Sequence, residues 1–216
     1  MIERITLKMQ AYNYLKKQII DGKLKADEIY TEQGFAEMLN ISRTPVREAV
    51  LQLAHEDFVT IKPNKGFVLR EYSVRDIDEY LQVRTAIEGF CGMYAVDTAG
   101  SQQWKDLVET LETYLKQEED MIEKDVTSQE FMKKDFDFHL AIVGYNNNRQ
   151  MLNIFNDMRN RIDRIGVKTF SIGGTITNAY KEHTEIYKAI KHGTRNDIYM
   201  AIEAHLDKYR EVLDKL

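Results

Sequence analysis

The placement of proline constrains the fold of this chain more than any other feature of its sequence. Both prolines, Pro45 and Pro63, lie within the first 70 of 216 residues. Proline lacks a backbone donor and breaks helix interiors, so its absence from the last 146 residues permits long helices there. The distribution therefore predicts two parts, a short mixed segment and an all-helical one, with a boundary near Arg70–Ser73.

The first part of the chain predicts three helices and a β-hairpin. The first helix is expected over residues 6–20, and the second begins at Thr31. A tight turn at Asn40–Ile41 leads into the third helix, which Ser42 can cap. The stretch FVTIKPNKGFVLRE alternates on both sides of Pro-Asn-Lys-Gly, which is typical of two strands joined by a turn. Two close helices followed by a hairpin form a small DNA-reading unit.

The second part predicts an antiparallel bundle of about six amphipathic helices. These helices are expected near residues 73–98, 101–123, 127–145, 148–169, 176–192 and 195–215. The expected fold class is therefore mainly α, with one domain at residues 1–71 and a second at residues 72–216.

Composition narrows the class of protein. The chain has no run of eighteen apolar residues, so no membrane span and no membrane partner are expected. Its single cysteine, Cys91, cannot form an internal disulfide, which predicts a reducing cytoplasm. The net charge of −5 is uneven, because residues 1–70 hold 11 Lys+Arg against 9 Asp+Glu. An acidic remainder weakens attraction to nucleic acid except where basic groups face it directly.

The stretch SRTPVREAV places two arginines at the start of the third helix. Pro45 costs little there, because first-turn N–H groups have no intrahelical partner. Arg43 and Arg47 are four residues apart and share one helix face, with Thr44 beside them. In a helix-turn-helix this end enters the major groove, where arginine reads guanine or clamps phosphate. From this stretch alone, two surface arginines on a solvated helix start are the favoured interpretation. The preceding helix, the tight turn and the hairpin with Lys62 and Lys65 make DNA binding an equal alternative.

The surrounding residues extend this pattern along the first 70 positions. They are Thr31–Glu32, Phe35–Ala36, the run LNISRTPVREA, Leu53 and Gly66. Together they resemble the winged helix-turn-helix of GntR-type bacterial transcription regulators. The resemblance implies contacts from the recognition helix to operator DNA and a wing near Lys65–Gly66. The candidate DNA-binding residues are Gln33, Ser42, Arg43, Thr44, Arg47, Lys62, Lys65 and Gly66. Gln33 is included because it stands where the family often has a DNA-contacting arginine.

The stretch DFDFH places Asp135 and His139 four residues apart on one side of a helix. His183 and His205 lie on the apolar stripes of two other expected helices. A buried carboxylate beside neutral imidazoles is costly unless a cation satisfies it. Imidazole nitrogens with one carboxylate oxygen suit zinc, nickel, iron or manganese. Hydrogen-bonded core histidines remain the alternative that the spacing leaves open.

The wider pattern in this half resembles the FCD effector domain of the FadR-like branch of GntR regulators, over residues 73–215. The matching residues are Asp135-x-x-Phe138-His139, Asn148, Glu182-His183, Ile186, Ala189-Ile190 and His205. In metal-binding members an aspartate and three histidines at these positions hold the ion. The resemblance therefore implies that Asp135, His139, His183 and His205 bind a divalent transition metal, with zinc preferred over nickel, iron and manganese. It further implies that water or a small carboxylate effector occupies the remaining coordination positions.

Two further residues are candidate effector-binding residues. Arg84 lies four residues before Glu88, so it either forms an ordinary i, i+4 ion pair or clamps an effector carboxylate near the metal. Asn148 either lines the effector pocket or caps the fourth bundle helix, and capping is the favoured interpretation.

The expected function is a ligand-responsive transcriptional regulator. Its partners are double-stranded operator DNA, a small organic acid and a second copy of the chain, because one recognition helix reads only a half-site. A purely structural metal is one alternative. A metal-dependent hydrolase is a more distant one, because the sequence has no HExxH and no paired Glu-x-x-His. The chain is therefore not expected to be an enzyme.

Overall fold

The computed structural model describes residues 5–20, 22–159, 161–162, 165 and 175–213. Contacts divide the chain into two compact units, Met1–Tyr72 and Ser73–Leu216. The expected fold class is confirmed: a three-helix unit with one hairpin precedes a helical bundle. The predicted helices near 148–169 and 195–215 extend at their C-terminal ends outside the described residues.

The first unit contains three helices and a two-stranded antiparallel hairpin. Its elements are α1 (Leu7–Ile20), α2 (Glu32–Leu39), α3 (Arg43–His55), β1 (Val59–Lys62) and β2 (Gly66–Leu69). Thr31 caps α2 by accepting a hydrogen bond from the Gly34 amide, and Asn40 ends that helix in the left-handed conformation, with φ of 53°. A hydroxyl cap of this kind stabilises a helix by about 1 kcal/mol.

Ser42 occupies the N-cap position of α3, but the expected side-chain cap is not formed. A capping hydroxyl bonds the amide of the second or third helical residue. The third helical residue here is Pro45, which has no amide hydrogen to donate. The same proline that stiffens the helix start therefore removes one of the two donors that Ser42 could have used.

The core of the first unit joins the hairpin to the helices. Leu15, Val46, Leu53 and Phe67 are fully buried, and the Phe35 and Phe67 rings stack with centroids 5.9 Å apart. The amide of Phe67 donates to the Tyr30 carbonyl at 2.8 Å, and the reverse bond has the same length.

Gly66 is required by this close approach. Its φ is +128°, and a Cβ added there would lie 2.0 Å from the Tyr30 carbonyl oxygen. Only glycine meets both conditions, since an L side chain disfavours this backbone conformation and would also meet the Tyr30 backbone. The base of the hairpin is therefore fixed by packing within the unit.

In its described residues, the second unit contains helices joined by short turns and no strand. Its helices are α4 (Val74–Asp97), α5 (Gln102–Glu123), α6 (Ser128–Tyr145), α7 (Arg149–Asp157), α8 (Ile176–His192) and α9 (Arg195–Leu213). Ser73 and Thr127 begin α4 and α6 with capping boxes that Asp76 and Glu130 complete. Among the helices described, none is both long enough and apolar enough for a membrane crossing.

Small residues let α4 and α9 approach closely. A Cβ on Gly92 would lie 2.7 Å from the Ile198 side chain, and one on Gly89 would lie 2.9 Å from the Tyr199 ring. Helix α4 also packs on α6, while α5 packs on both α6 and α8. Five helices of the bundle therefore enclose a common interior, which contains polar side chains as well as apolar ones.

Candidate metal centre and nucleic-acid interface

The four predicted metal ligands come together inside the bundle. Helix α6 carries Asp135 and His139, α8 carries His183, and α9 carries His205. One ligand atom from each residue lies within 4.8 Å of every other. All four side chains are essentially inaccessible to solvent. The i, i+4 spacing on α6 supplies two ligands from one helix face, and packing of α8 and α9 supplies the other two.

The ligand atoms themselves lack partners. Within the described residues, the Nε2 atoms of all three histidines and both Asp135 oxygens are buried without a hydrogen bond, although Asp135 Oδ1 lies 3.4 Å from His183 Nε2. Buried polar atoms are nearly always hydrogen-bonded, because leaving one unpaired costs its full desolvation. Five such atoms in one small volume fit a cation that takes nitrogen and oxygen ligands.

Each histidine has a carboxylate on its other ring nitrogen. Nδ1 of His139 lies 2.6 Å from Glu88, Nδ1 of His183 lies 2.9 Å from Glu118, and Nδ1 of His205 lies 2.9 Å from Glu182. In a neutral imidazole, a carboxylate beside Nδ1 holds the single proton there and leaves the Nε2 lone pair free. The contacts of His183 and His205 are hydrogen bonds, whereas that of His139 is close without hydrogen-bond geometry. All three imidazoles are thereby oriented to bind a metal through Nε2.

The formal charge inside the bundle also favours a divalent cation. Asp135, Glu88 and Glu118 are fully buried, and the only buried cationic side chain among the described residues is Arg84. When all three imidazoles are neutral, as binding a metal through Nε2 requires, three carboxylates and one guanidinium leave a net formal charge of −2. Burial alone would raise the pKa of Glu88, but Arg84 and His139 outweigh it and lower that pKa to about 2. A doubly charged ion balances this interior.

Two of the histidines have opposite pKa shifts. Burial lowers the pKa of both, since it disfavours the charged form. At His183, Glu118 and Asp135 outweigh burial and raise the pKa to about 10. At His205, the charges of His183, His139 and Arg84 add to burial and lower the pKa well below its usual value. A metal ion entering this site therefore has to displace a proton from His183.

Arg84 forms the predicted ion pair with Glu88, and both side chains are buried. Its side chain is 2% exposed, and Nε donates to Glu88 Oε1 at 2.6 Å. The predicted i, i+4 ion pair with Glu88 is therefore present, but it lies in the bundle interior. Its Nη2 is buried without a hydrogen-bond partner among the described residues. Arg84 thus keeps a free donor in the same interior as the metal ligands.

Asn148, the other candidate effector-binding residue, lies at the N-cap position of α7. It is exposed and caps α7 by accepting from the amides of Gln150 and Met151. The geometry agrees with the favoured capping interpretation, and nothing in it supports an effector contact.

The candidate DNA-binding residues form an exposed set on the first unit. Four of them are exposed at the start of α3, namely Ser42, Arg43, Thr44 and Arg47. Three more are exposed nearby in the sequence, Gln33 on α2 and Lys62 and Lys65 on the hairpin, whereas Gly66 is partly covered. Arg43 contacts Glu32, its Nε donating at 2.8 Å. Arg47 has neither an ion pair nor a hydrogen bond in the described part of the chain. The surface can therefore present long cationic side chains to a partner.

Sequence reasoning missed four carboxylate contacts with these functional side chains. Glu88, Glu118 and Glu182 face the histidines, and Glu32 contacts Arg43. A signal existed for Glu118, which follows Leu111 and Leu115 at helical spacing on the buried face of α5. An acid on such a stripe needs a buried partner, and the only candidates were the inward histidines.

The comparisons with known proteins cover both units. A model described as "Bacterial regulatory proteins, gntR family" matches residues 7–69, and one for the FCD domain matches residues 79–208. The HTH-type transcriptional regulator YdhC of Bacillus subtilis (strain 168) is 24% identical over 199 residues, which covers 92% of this chain and 87% of its own.

Two solved structures share the fold. Escherichia coli McbR/YncC has a TM-score of 0.67 at 21% identity, covering 98% of this chain and 99% of its own. The metal-free FCD domain of TM0439 has a TM-score of 0.53 at 22% identity, covering 68% of this chain and 96% of its own.

Proposed function

Since this chain belongs to the gntR family of bacterial regulatory proteins and carries an FCD domain, we propose that it binds operator DNA in response to a small organic acid held at a buried divalent metal. It is a transcriptional regulator rather than an enzyme, as are the relatives that match it. The metal-dependent hydrolase alternative has no support among them.

The proposal for DNA rests on the start of α3. Arg43, Thr44 and Arg47 are exposed together, and the hairpin adds Lys62 and Lys65. Cations on a helix N-terminus and on a neighbouring wing suit a major groove and its flanking phosphates. One such unit reads a half-site, so the protein acts as a homodimer on a pseudo-palindromic operator. Its place is then the bacterial cytoplasm, where that DNA lies.

The observation that carries the metal proposal is the set of five unpartnered buried ligand atoms within an interior of net formal charge −2. Zinc is our first choice, with nickel, iron and manganese as alternatives, because three imidazoles and one carboxylate suit all four. A position for an effector requires an ion with five or six ligands. The bound ion supplies a Lewis-acidic centre for the oxygen of an anion.

Arg84 is the residue that supports an acid as the effector. Its unpartnered Nη2 gives a charge-assisted donor in the same interior as the ligands. A small carboxylate can place one oxygen on the ion and accept from Arg84 with the other. Glu88 contacts both Arg84 and His139, so a ligand on Arg84 acts on the metal site through one side chain. Effector binding then biases the conformations that differ in operator affinity.

The proposal is tested by metal analysis of the purified protein, followed by thermal-shift screening against small carboxylates. We expect about one divalent ion per chain and stabilisation by one class of acid. His139→Ala should abolish both, whereas His192→Ala, which changes an exposed histidine, should preserve both. A gel-shift titration in which no acid alters operator affinity would count against the regulatory part.

Metal removal separates sensing from a purely structural ion. If the metal-free protein remains helical but loses acid binding, the ion serves in sensing. If the second unit unfolds on chelation, the structural alternative is favoured, because metal binding is then coupled to folding.

A further inference from the structure

The start of α3 carries an ion pair that the proposed function has not used. Glu32, the first residue of α2, accepts a hydrogen bond from Arg43 Nε at 2.8 Å, and the same oxygen lies 2.7 Å from Arg43 Nη2. The Glu32 side chain is 16% exposed, whereas that of Arg43 is 65% exposed. The carboxylate is thus held against its own unit while the arginine extends outward.

This contact engages one edge of the guanidinium group and leaves its end free. Guanidinium carries five N–H donors in a rigid planar fork. Nε and Nη2 face Glu32, so the end formed by Nη1 and Nη2 keeps hydrogens for an outside acceptor. Such a pair of donors matches O6 and N7 of guanine in the major groove. Because the side chain is already held in one orientation, less rotamer freedom is lost when it contacts a base.

Arg47 lies one turn further along α3 and differs in this respect. It is exposed and makes no ion pair or hydrogen bond in the described part of the chain. Its guanidinium can therefore turn to the nearest phosphate, a contact that carries no sequence information. A carboxylate near DNA has the opposite effect, since it repels the phosphates of every duplex alike.

We propose, on the basis of the DNA binding proposed above, that Glu32 is a specificity-determining residue of the recognition surface. It orients Arg43 toward one guanine in each half-site and weakens binding to unrelated duplexes. Arg43 makes the base contact, and Glu32 acts through it as a positioning residue. The two helices of the helix-turn-helix thereby share the reading of one base.

The test selects bound duplexes from a randomised library with the full-length protein and sequences them. Affinity for a random-sequence duplex is measured in parallel over a range of salt concentrations. Glu32→Gln keeps the side-chain shape but removes the charge that holds Arg43. We expect it to bind the random duplex a few-fold more tightly. Its discrimination at one base pair per half-site should fall by roughly 5- to 150-fold, the contribution of one bidentate arginine–guanine contact.

Two variants serve as controls. Glu48→Gln removes the same charge from the exposed surface of α3, and Glu48 forms no ion pair with Arg43 in the described structure. It should also tighten random-duplex binding but leave every base preference intact. Arg43→Lys keeps the positive charge without the fork, so it should lose the same base preference as Glu32→Gln. Circular dichroism melting of each variant checks that the unit remains folded.

The outcomes separate the two proposals. If the wild-type protein enriches a site and Glu32→Gln reads it with unchanged preferences, the role of Glu32 is overturned while DNA binding stands. If Glu48→Gln loses the same preference as Glu32→Gln, the effect is one of general charge, and the inference is again overturned. If the wild-type protein enriches no duplex, the proposed function fails and takes this inference with it.

Discussion

Arg47 on α3 and Arg84 on α4 are the same side chain in opposite surroundings. Arg47 is exposed, without an ion pair in the described structure, and water screens its charge. Arg84 is buried, contacts Glu88 at 2.6 Å, and lies among groups whose protonation states depend on one another. The charge of Arg47 is therefore separable from its neighbours and acts on whatever group approaches it. Charges inside the second unit are coupled, so that changing one alters the rest.

The strongest test of this coupling removes one metal ligand. His183→Ala removes a ligand nitrogen and leaves Glu118 and Asp135 buried without their histidine partner. We expect metal affinity to fall by more than about 100-fold, beyond the loss seen when a residue behind a ligand is changed. Competition with a chelator of known affinity measures it. His192→Ala on the same helix should leave affinity unchanged, and equal losses in both variants would contradict a localised site.

The pH dependence of metal binding tests the coupling through a proton. Burial alone would lower the pKa of His183, but Glu118 and Asp135 raise it to about 10. The proton and the metal compete for Nε2, so affinity should rise about tenfold per pH unit as long as the pH stays below that pKa. An ordinary histidine site would level off above a pH of about 6.5. A plateau starting near pH 7 would show that the two acids do not act on His183 in this way.

A smaller effect is expected from the carboxylate behind a ligand. Glu118→Gln keeps the shape of the side chain but removes the charge beside His183 Nδ1. Metal affinity should fall by roughly 10- to 100-fold. Its pH dependence should also level off at a lower pH, because the pKa of His183 is no longer raised by this group. Glu119→Gln, which changes an exposed neighbour, is the matched control. An equal loss of affinity in that variant would show that the effect does not depend on the contact with His183.

The smallest effect is expected on the exposed surface. Arg47→Ala should weaken binding to every duplex by a similar factor and reduce the salt slope of the affinity by about 0.9, the value for one lost phosphate contact. Fluorescence anisotropy over a salt series measures this. Lys105→Ala, exposed on the second unit, should change neither quantity. A loss confined to one DNA sequence would assign Arg47 to base reading and weaken the contrast with Arg43.

The helices and the ligand set could be predicted because they depend on local spacing. Proline-free helical periodicity predicted a helix over residues 176–192, and α8 has those bounds. The closeness of Asp135 and His139 follows from their i, i+4 spacing, which puts two side chains on one face of any helix. The resemblance to the FCD domain then indicated which inward-facing histidines share one metal site with Asp135. The environment of Arg84 was missed because spacing places Glu88 within reach without telling which helices cover the pair.

The carboxylates behind the histidines depend on contacts between distant segments. Glu118 meets His183 across 65 residues, a distance in sequence that no local pattern reports. The uncapped Ser42 was missed for a simpler reason. Serine at a helix start predicts a cap, but the proline three residues later takes away an amide that the cap would use.

Glu88 divides its carboxylate between two helices, with one oxygen on Arg84 of α4 and the other 2.6 Å from His139 of α6. This shared acid restricts how the protein can diverge. A descendant that loses His139 leaves a Glu88 oxygen buried without its close neighbour, and one that loses Arg84 leaves Glu88 without its buried cation. We expect both intermediates to be less stable than the parent, so selection should remove them before a second change arrives. Paralogues of this chain should therefore retain the three residues together or have replaced them together.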